Sequence, residues 1–306
     1  MDHLESLRAF VAVADSAGFA SAARKLRLSA PAVTRAVAAI EARLGAQLLH
    51  RSTRSVRLTE VGARFLDDCR RILAELDEAE ASAGGAHAAP QGQLAITAPS
   101  IFGRMHVAPI LFDFLALHPG LSVRSLFVDR VVNLLDEGFD VALRIARLPD
   151  SSLTAVPVGS VRRVVVASPD YLARRGVPRE PADLAGHDAV GFSQDGGANA
   201  PWAFYRNGQR ELAEPRMQLI ANAGEVGIDA AIRGLGVARA LAYQVDADVL
   251  AGRLKIVLAE FEPQPIPVHL VHVAGRKAPA KVRAFIDFAA ERLRSVPVLS
   301  PRTRSY

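Results

Sequence analysis

Apolar residues recur at helical spacing in three consecutive stretches near the start of the chain. The first stretch ends at Gly18 and predicts a helix of about a dozen residues, and the second predicts a shorter helix. A tight turn at residues 27–29 then leads into a third helix. The three predicted buried stripes are Leu4, Leu7, Phe10, Val11 and Ala14; Phe19, Ala22, Ala23 and Leu26; and Val33, Val37, Ile40 and Leu44.

The third helix combines a strong start signal with an unusual exposed face. Ser29 is placed to accept a hydrogen bond from a first-turn amide, and Pro31 suits that turn, so the helix is predicted to begin near Ala30. Its exposed face carries Pro31, Thr34, Arg35 and Ala38. Small side chains let a backbone approach base edges, and Arg35 can contact a phosphate or guanine. The alternative is an ordinary surface helix with an alanine-rich face.

A hairpin is predicted directly after this helix. Alternating Val56 and Leu58 follow the polar segment HRSTRS, which places Arg51, Arg54 and Arg57 near the tip. Basic side chains there can reach a phosphate backbone or a minor groove. The combined pattern therefore predicts contact with double-stranded DNA through Ser29, Ala30, Pro31, Thr34, Arg35, Arg51, Thr53 and Arg54.

Residues 61–83 carry a heptad pattern. Gly62, Phe65, Cys69, Ile72, Leu76, Ala79 and Ala83 are spaced alternately by three and four, and Thr59 is placed to cap the helix. The pattern predicts a coiled-coil linker helix that forms a homodimer through Phe65, Cys69, Ile72 and Leu76. The alternative is packing of this helix on its own C-terminal body. Residues 84–91 are predicted to be a hinge.

Short β-branched runs alternate with helical patterns in the remainder. The order is LAIT, a helix at about 101–117, VRSLFV, a short helix near 131–137, and DVALRI. VRRVVVAS and residues 268–273 are two further buried strand candidates. This order predicts an α/β domain whose strands are mainly parallel.

Composition and charge add three constraints. A chain of 306 residues that is 50% hydrophobic is long enough for about two domains. The net charge is +4 over residues 1–60, −3 over 61–90 and +4 over the much longer remainder. The chain therefore has a basic head, an acidic connector and a nearly balanced body, and the basic head is the part predicted to contact DNA. The single cysteine excludes an intramolecular disulfide, and neither a signal peptide nor an 18-residue apolar stretch is evident. We expect a cytoplasmic protein with no membrane partner.

FVAVADSAGFASAARKLRLSAPAVTRAVAAIEARLGAQLLHRSTRSVRLTEVG resembles the winged helix-turn-helix of LysR-type transcriptional regulators, with the two-helix motif at residues 18–37. FGRMHVAP, EGFDVALRIARLPDSS, ASPDYLARRG, ADLAGH and AAIRGLGVAR resemble the effector domain of the same family. The resemblance thus spans nearly the whole chain. It implies a winged helix-turn-helix at 1–60, the linker helix, and an effector domain at 92–306.

The resemblance also implies how the C-terminal domain is built. Family effector domains are two α/β subdomains, like a periplasmic binding protein, with a small ligand in the cleft. Mapped onto this chain, subdomain I is 92–160 plus 268–296, and subdomain II is 161–267. The implied partners are an anionic or aromatic effector, a dimer or tetramer, and RNA polymerase as a further candidate. No cofactor or metal is expected.

The cleft should lie where strand ends meet helix starts. Ser100 begins the first helix of the domain, where its hydroxyl and the amides of residues 101–103 are expected to form an anion site. The alternatives are a plain N-cap role for Ser100 and a structural salt bridge for Arg144. The expected effector-binding residues are Ser100, Phe102, Phe127, Arg144, Phe204 and Asn222.

The chain departs from the family pattern at three positions. Ala20 stands where serine is usual, and Thr34 replaces another serine but keeps the hydroxyl. Arg239 stands where an apolar residue is usual, in GLGVARALAYQV. This third departure means that ligand preference is not transferable from relatives.

Three other classes of protein are alternatives to a ligand-responsive regulator. GLGVAR lacks the third glycine of a dinucleotide fingerprint, and no nucleophile, base and orienting group occur together, which disfavours an enzyme. A solute-binding protein is disfavoured by the predicted DNA-binding head. A ligand-independent DNA-binding repressor or architectural protein, whose C-terminal domain only oligomerises, stays open as the alternative.

Overall fold

The structure is a computed structural model that describes residues 2–51, 56–83, 90–149, 152–194, 201–273 and 278–300. The chain forms two compact units, Met1–Gly92 and Gln93–Tyr306. The first is helical with one small hairpin, and the second is an α/β domain. This confirms the fold class that the sequence predicts.

The described residues of the first unit form four helices and a two-stranded hairpin. Its short strands pair antiparallel, with Leu49 opposite Leu58. In chain order the elements are α1 His3–Asp15, α2 Phe19–Leu26, α3 Ala30–Leu44, β1 Leu49–Arg51, β2 Val56–Leu58 and α4 Glu60–Ala83.

The apolar stripes of the first three helices meet in one core. Phe10 of α1, Ala22 of α2, and Val33 and Val37 of α3 are all buried there. Leu44 was predicted to extend the stripe of α3, but its side chain is 42% exposed. The prediction fails at Leu44 because α3 ends there, at the left-handed Gly45.

The second unit is built around two five-stranded sheets. The first has the order β4-β3-β5-β14-β6, with the strands β3 Gly92–Ala98, β4 Leu121–Phe127, β5 Val141–Ile145, β6 Thr154–Val161 and β14 Ile266–His272. The second has the order β11-β8-β12-β7-β13, with the strands β7 Arg163–Ala167, β8 Asp188–Phe192, β11 Arg216–Ala221, β12 Val237–Leu241 and β13 Lys255–Val257.

Helices and a separate hairpin complete the second unit. The helices are α5 Ser100–Phe102, α6 Ala108–Leu117, α7 Pro169–Arg175, α8 Gly224–Ile232, α9 Ala242–Leu250 and α10 Ala280–Arg294. A π-helical turn, Gly103–Val107, joins α5 to α6. The separate hairpin consists of β9 Trp202–Arg206 and β10 Gln209–Ala213.

Both large sheets are mixed, which corrects the expectation of mainly parallel strands. β8 pairs parallel with β11 and β12, and β3 pairs parallel with β5. However, β7 runs antiparallel to β12 and β13, and β14 runs antiparallel to β5 and β6. Strand direction depends on long-range connections, and a sequence run contains no sign of it.

Two segments differ from what their composition suggests. No helix forms at 131–137, where the sequence predicts a short one. Residues 134–137 form turns instead, and Asn133 and Glu137 hold this segment through side-chain bonds to the backbone. Ser100–Leu117 has a mean hydropathy of 1.4 and meets the length and composition of a membrane span, a stretch that the sequence reading overlooked. Phe102, Leu111 and Phe114 from this stretch are buried in the core of the α/β domain. Core helices of soluble proteins pass the same test.

The chain passes between the two large sheets twice, once from β6 to β7 and once from β13 to β14. Arg162 lies in the first connection and Glu262 in the second. Their side chains form a two-pronged ion pair with N–O distances of 2.8 and 2.7 Å, and both are largely buried. This pair ties the two connections together where the sheets meet.

Candidate functional site

Helix α3 begins as its sequence predicts. The Ser29 hydroxyl accepts a hydrogen bond from the Ala32 amide at 3.3 Å, and Pro31 occupies the first turn. Val33, Ala36, Val37 and Ile40 are buried against α1 and α2. The burial of this stripe fixes which side of α3 faces solvent.

Over residues 30–39 the solvent-facing side of α3 carries small side chains and one cation. Ala30, Pro31 and Arg35 are exposed, as is Ser29 just before the helix. Thr34 is half-buried, and its hydroxyl donates to the Ala30 carbonyl at 2.9 Å. Among the residues that the structure describes, Arg35 has no ion-pair partner, so its guanidinium remains available to a ligand.

The hairpin is joined to α3 by Glu41, a residue that the sequence reading missed. Its carboxylate accepts hydrogen bonds from the amides of Leu48 and Leu49, at 2.9 and 3.2 Å. A part-buried carboxylate with two amide donors holds the first strand at a fixed angle to α3. Thr53, Arg54 and the Arg51 side chain lie outside the described residues, while Arg57 on β2 is exposed.

Thr59 caps the start of helix α4, as predicted, because its hydroxyl accepts a hydrogen bond from the Gly62 amide at 2.9 Å. Its first half packs on the N-terminal core. Leu66, Cys69 and Leu73 are buried there, and a Cβ on Gly62 would lie only 1.9 Å from the Leu48 carbonyl oxygen. The heptad reading of Gly62 and Cys69 as dimer-facing residues is therefore wrong.

The side chain of Cys69 is fully buried, and burial raises the pKa of its thiol to about 11, with a smaller contribution from Asp68. The heptad pattern gave a wrong prediction for Cys69 because the apolar stripe of an amphipathic helix can pack on its own domain as well as on a partner.

A second apolar stripe on α4 remains partly uncovered. Ile72 is 42% exposed and Val61 45% exposed, and Phe65 and Leu76 are half-buried on the same side. The Phe65 ring also contacts Phe10, with ring centroids 5.7 Å apart. We call Val61, Phe65, Ile72 and Leu76 the linker stripe.

The α/β domain contains a cavity of about 300 Å³ at the end of the second sheet where β8 and β12 finish. The first turns of α8 and α9 border it, as do Pro99 and Ile101. Its apolar lining includes Ile101, Ile145, Val190, Trp202 and Ile228. Small-molecule sites are typically concave, mainly apolar and placed at strand ends, so this cavity is the candidate effector site.

Two arginines line the cavity. Burial lowers the pKa of Arg239 to about 10, with a further contribution from the positive charge of Arg163. Burial also lowers the pKa of Arg163. The Arg239 guanidinium lies 5.2 Å from the centroid of the Trp202 ring. Among the described residues that line the cavity, Asp129 is the only acid, and its carboxylate accepts from the Ser100 amide at 3.2 Å.

Two family models match this chain. A bacterial regulatory helix-turn-helix protein of the lysR family matches residues 4–63, and the LysR substrate binding domain matches residues 87–294. The chain belongs to the LysR family of transcriptional regulators. The α3 face and the cavity thus fall in the helix-turn-helix and the substrate binding domain of this family.

Similar LysR-type proteins match over almost their full length. The transcriptional regulator CrgA of Neisseria meningitidis is 33% identical over 290 residues, which cover 94% of this chain and 96% of CrgA. A solved CrgA structure has a TM-score of 0.60 and covers 94% of this chain and 98% of its own. The full-length Vibrio cholerae virulence activator AphB is 26% identical with a TM-score of 0.60, covering 95% and 99%.

In this LysR-type regulator the predicted anion site at Ser100 is not formed. The Ser100 hydroxyl donates to the Phe127 carbonyl at 3.3 Å, and the Gly103 amide donates to the Pro99 carbonyl at 2.7 Å. The Asp129 carboxylate already lies at the start of α5. The prediction fails because these polar groups have internal partners and a carboxylate opposes a bound anion.

The other predicted effector residues do not line the cavity either. Phe102 is fully buried against Tyr243, with ring centroids 5.0 Å apart, and Phe127 packs on Gly103. Arg144 donates to the Val132 carbonyl and does not line the cavity, and it forms no salt bridge with a described residue. Phe204 is buried in a separate core cluster, and Asn222 is exposed before α8.

Sequence reasoning missed Arg163, Trp202 and Asp129 and flagged Arg239 only as a departure. A usable signal was present, because an arginine inside an apolar strand such as RVVVA or VARAL needs a partner or a ligand. The GLG motif, in contrast, is structural. Gly234 adopts a φ of +75°, and a Cβ on Gly236 would lie 2.5 Å from the Asp188 carbonyl oxygen.

The described part of the chain contains no group of three or more His, Cys, Asp or Glu side chains that could hold a metal ion.

Proposed function

We propose that this LysR-type regulator reads operator DNA with the exposed face of α3 and that a small effector in the cavity modulates its DNA binding. The residues proposed to contact DNA are Ser29, Ala30, Pro31, Thr34 and Arg35, with Arg51, Thr53 and Arg54 contacting the backbone beside them. The observation that carries the proposal is the exposed Arg35, without an ion-pair partner among the described residues, in a stretch of α3, residues 30–39, whose other exposed side chains are small.

The arrangement of α3 supports DNA reading. The cap at Ser29 and the buried stripe at Val33 and Val37 fix the side of α3 from which Arg35 projects, so the helix itself needs no ordering when it binds DNA. The Glu41 contacts fix the neighbouring hairpin at the same time. A basic hairpin beside a reading helix adds phosphate contacts that orient the domain on the duplex.

The linker stripe supports a homodimer, with a tetramer as the next level of assembly. Val61 and Ile72 are exposed in one chain, and the same stripe of a second chain would cover them. Cys69 is not part of this interface because it lies in the core of the N-terminal unit. A dimer reads two half-sites related by two-fold symmetry, and Ile72→Glu is expected to yield monomers in sedimentation.

Effector binding modulates a regulator only if it favours one arrangement of the assembled subunits over another. The cavity is suited to that task because residues of both large sheets line it, Ile145 from β5 and Val190 from β8. The same proposal places the protein in the cytoplasm and makes RNA polymerase a further candidate partner. It applies to an activator and to a repressor alike. A ligand-independent architectural protein would have no need of such a cavity.

Arg35→Ala tests the proposed reading face directly. DNA fragments selected from the source genome by the wild-type protein are titrated, and binding is followed by fluorescence anisotropy at fixed salt. Loss of one good base or phosphate contact is expected to weaken specific binding by about 10- to 100-fold.

Arg64→Ala is the matched control, since Arg64 is an exposed arginine on α4 with a side chain that is 73% accessible. It removes the same charge from the same unit and is expected to have a small effect. If both variants lost the same DNA affinity, Arg35 would contribute only through its general positive charge. If neither variant lost affinity, α3 would not be the helix that reads the operator.

A further inference from the structure

The cavity holds two positive charges that no described residue neutralises. Arg163 and Arg239 both line it, and neither forms an ion pair with a residue that the structure describes. Asp129 lines the same cavity but is exposed, and its carboxylate is bonded to the Ser100 amide. Buried charges are usually paired, so two neighbouring cations in one cavity favour an anionic ligand.

The strand register places the two arginines on one face of the sheet. β12 and β7 pair antiparallel, with Arg239 opposite Val165 and Leu241 opposite Arg163. Side chains two residues apart on a strand point the same way, so Arg163 and Arg239 are diagonal neighbours. Such neighbours lie roughly 7–8 Å apart, which lets two guanidinium groups converge on one carboxylate.

A third donor in the lining also lacks an acceptor. Trp202 is 1% exposed, and its indole Nε1 is buried without a hydrogen-bond partner among the described residues. An indole N–H can only donate. The unmatched polar groups of Arg163, Arg239 and Trp202 are therefore all donors, which selects for a ligand rich in acceptors.

The remaining lining defines the rest of the ligand. Ile101, Ile145 and Ile228 are apolar and come from different elements around the cavity. A volume of about 300 Å³ lies at the small end of the range for ligand sites, so the ligand is a small molecule. An apolar body beside an anionic group satisfies both parts of the lining.

We propose that the cavity binds a small organic carboxylate, with its carboxylate held by Arg163 and Arg239 and its apolar body among Ile101, Ile145 and Ile228. This inference rests on the proposed function, since it names the chemical class of the effector. Burial and mutual repulsion lower the pKa of Arg239, and a bound carboxylate offsets both effects.

Trp202 makes the test specific, because it is the only tryptophan in the chain and it lines the cavity. Benzoate and its neutral counterpart benzamide are titrated into the full-length protein while the Trp202 emission is recorded. Benzoate is expected to bind at millimolar or lower concentration and benzamide to bind at least about tenfold more weakly, because charge-assisted bonds are lost.

Arg239→Gln and Arg163→Gln are each expected to weaken benzoate binding by about 10- to 100-fold. Arg253→Gln is the matched control, because the Arg253 side chain is 54% exposed and pairs with Asp248 away from the cavity lining. It should bind benzoate as the wild type does. An unchanged circular dichroism spectrum of each unliganded variant shows that its fold is intact.

Three results would overturn the carboxylate proposal: no response to benzoate, equal responses to benzoate and benzamide, or undiminished binding in both glutamine variants. Failure of the proposed function looks different. In that case benzoate binds through Arg163 and Arg239, but DNA affinity measured in parallel stays the same with and without benzoate.

Discussion

Arg35 and Arg239 are both proposed to bind an anion, but their environments differ, because one is exposed to solvent and the other lies in a cavity. Arg35 lies exposed on α3, on a helix whose cap and core fix its direction. Arg239 lies in a cavity where burial and Arg163 lower its pKa to about 10. A solvated cation contributes mainly long-range attraction, whereas a desolvated cation strongly favours a ligand of the correct charge.

The difference explains why one surface suits DNA and the other a small molecule. A duplex presents a long array of phosphates, so many exposed cations bind it together and each adds a modest amount. A small carboxylate offers one charge, so the site must concentrate its donors and exclude water around them. The α3 face and the cavity correspond to these two solutions.

The largest expected difference between the two sites is in how their binding affinities depend on salt concentration. DNA binding is expected to fall by about a thousandfold between roughly 50 and 200 mM salt, since a dimer displaces several counterions. Benzoate binding to the cavity should change by less than about threefold over the same range, because buried charges are screened little. Anisotropy and Trp202 fluorescence measure the two affinities in the same buffers. A steep salt dependence at the cavity would mean that its arginines are effectively solvated.

Thiol reactivity tests the scaffold on which the exposed face depends. The raised pKa of Cys69 and its full burial predict that a disulfide reagent at neutral pH modifies the native protein at least about 100-fold more slowly than the unfolded protein. A double variant that combines Cys69→Ala with Ala63→Cys is the control, since Ala63 lies on the exposed side of α4. If native Cys69 reacted as fast as the thiol introduced at position 63, Cys69 would lie outside the core.

Stability should respond in opposite ways to removing each arginine. Arg239→Leu is expected to stabilise the unliganded α/β domain by about 1 kcal/mol, because a desolvated and repelled charge is replaced by an apolar side chain. Arg35→Leu should leave the stability of the N-terminal unit unchanged. Urea unfolding followed by Trp202 emission reports the first change and helical circular dichroism the second. Destabilisation by Arg239→Leu would assign Arg239 a structural role.

The two sites also differ in how far the sequence could predict them. The α3 face depends on local signals: the Ser29 cap, the periodicity of Val33 and Val37, and the adjoining hairpin. All of these lie close together along the chain, so pattern and propensity were enough. Strand directions and the cavity depend on pairing between β7, β8 and β12, which are far apart in sequence. No local pattern shows that Arg163 and Arg239 are neighbours.

The errors in the linker and at the effector residues have a related cause. The heptad pattern correctly predicted a helix with an apolar stripe, but Cys69 and Gly62 face the core and the hairpin of their own unit instead of a second subunit. Ser100 was placed correctly at a helix start, but its hydroxyl already bonds to the Phe127 carbonyl. Periodicity identifies which residues are buried or capped. Tertiary contacts determine which part of the protein those residues pack against or bond to.

The most direct test of the account is whether a charge held in the cavity changes the affinity of α3 for DNA. Operator affinity is measured by anisotropy for the wild-type protein and for Arg239→Gln, each with and without saturating benzoate. At a benzoate concentration that just saturates the wild type, the account predicts a change of about 5- to 150-fold for the wild type and a much smaller one for Arg239→Gln, which binds little benzoate at that concentration. An unchanged wild-type affinity despite benzoate bound at Trp202, or an equal change in both proteins, would contradict it.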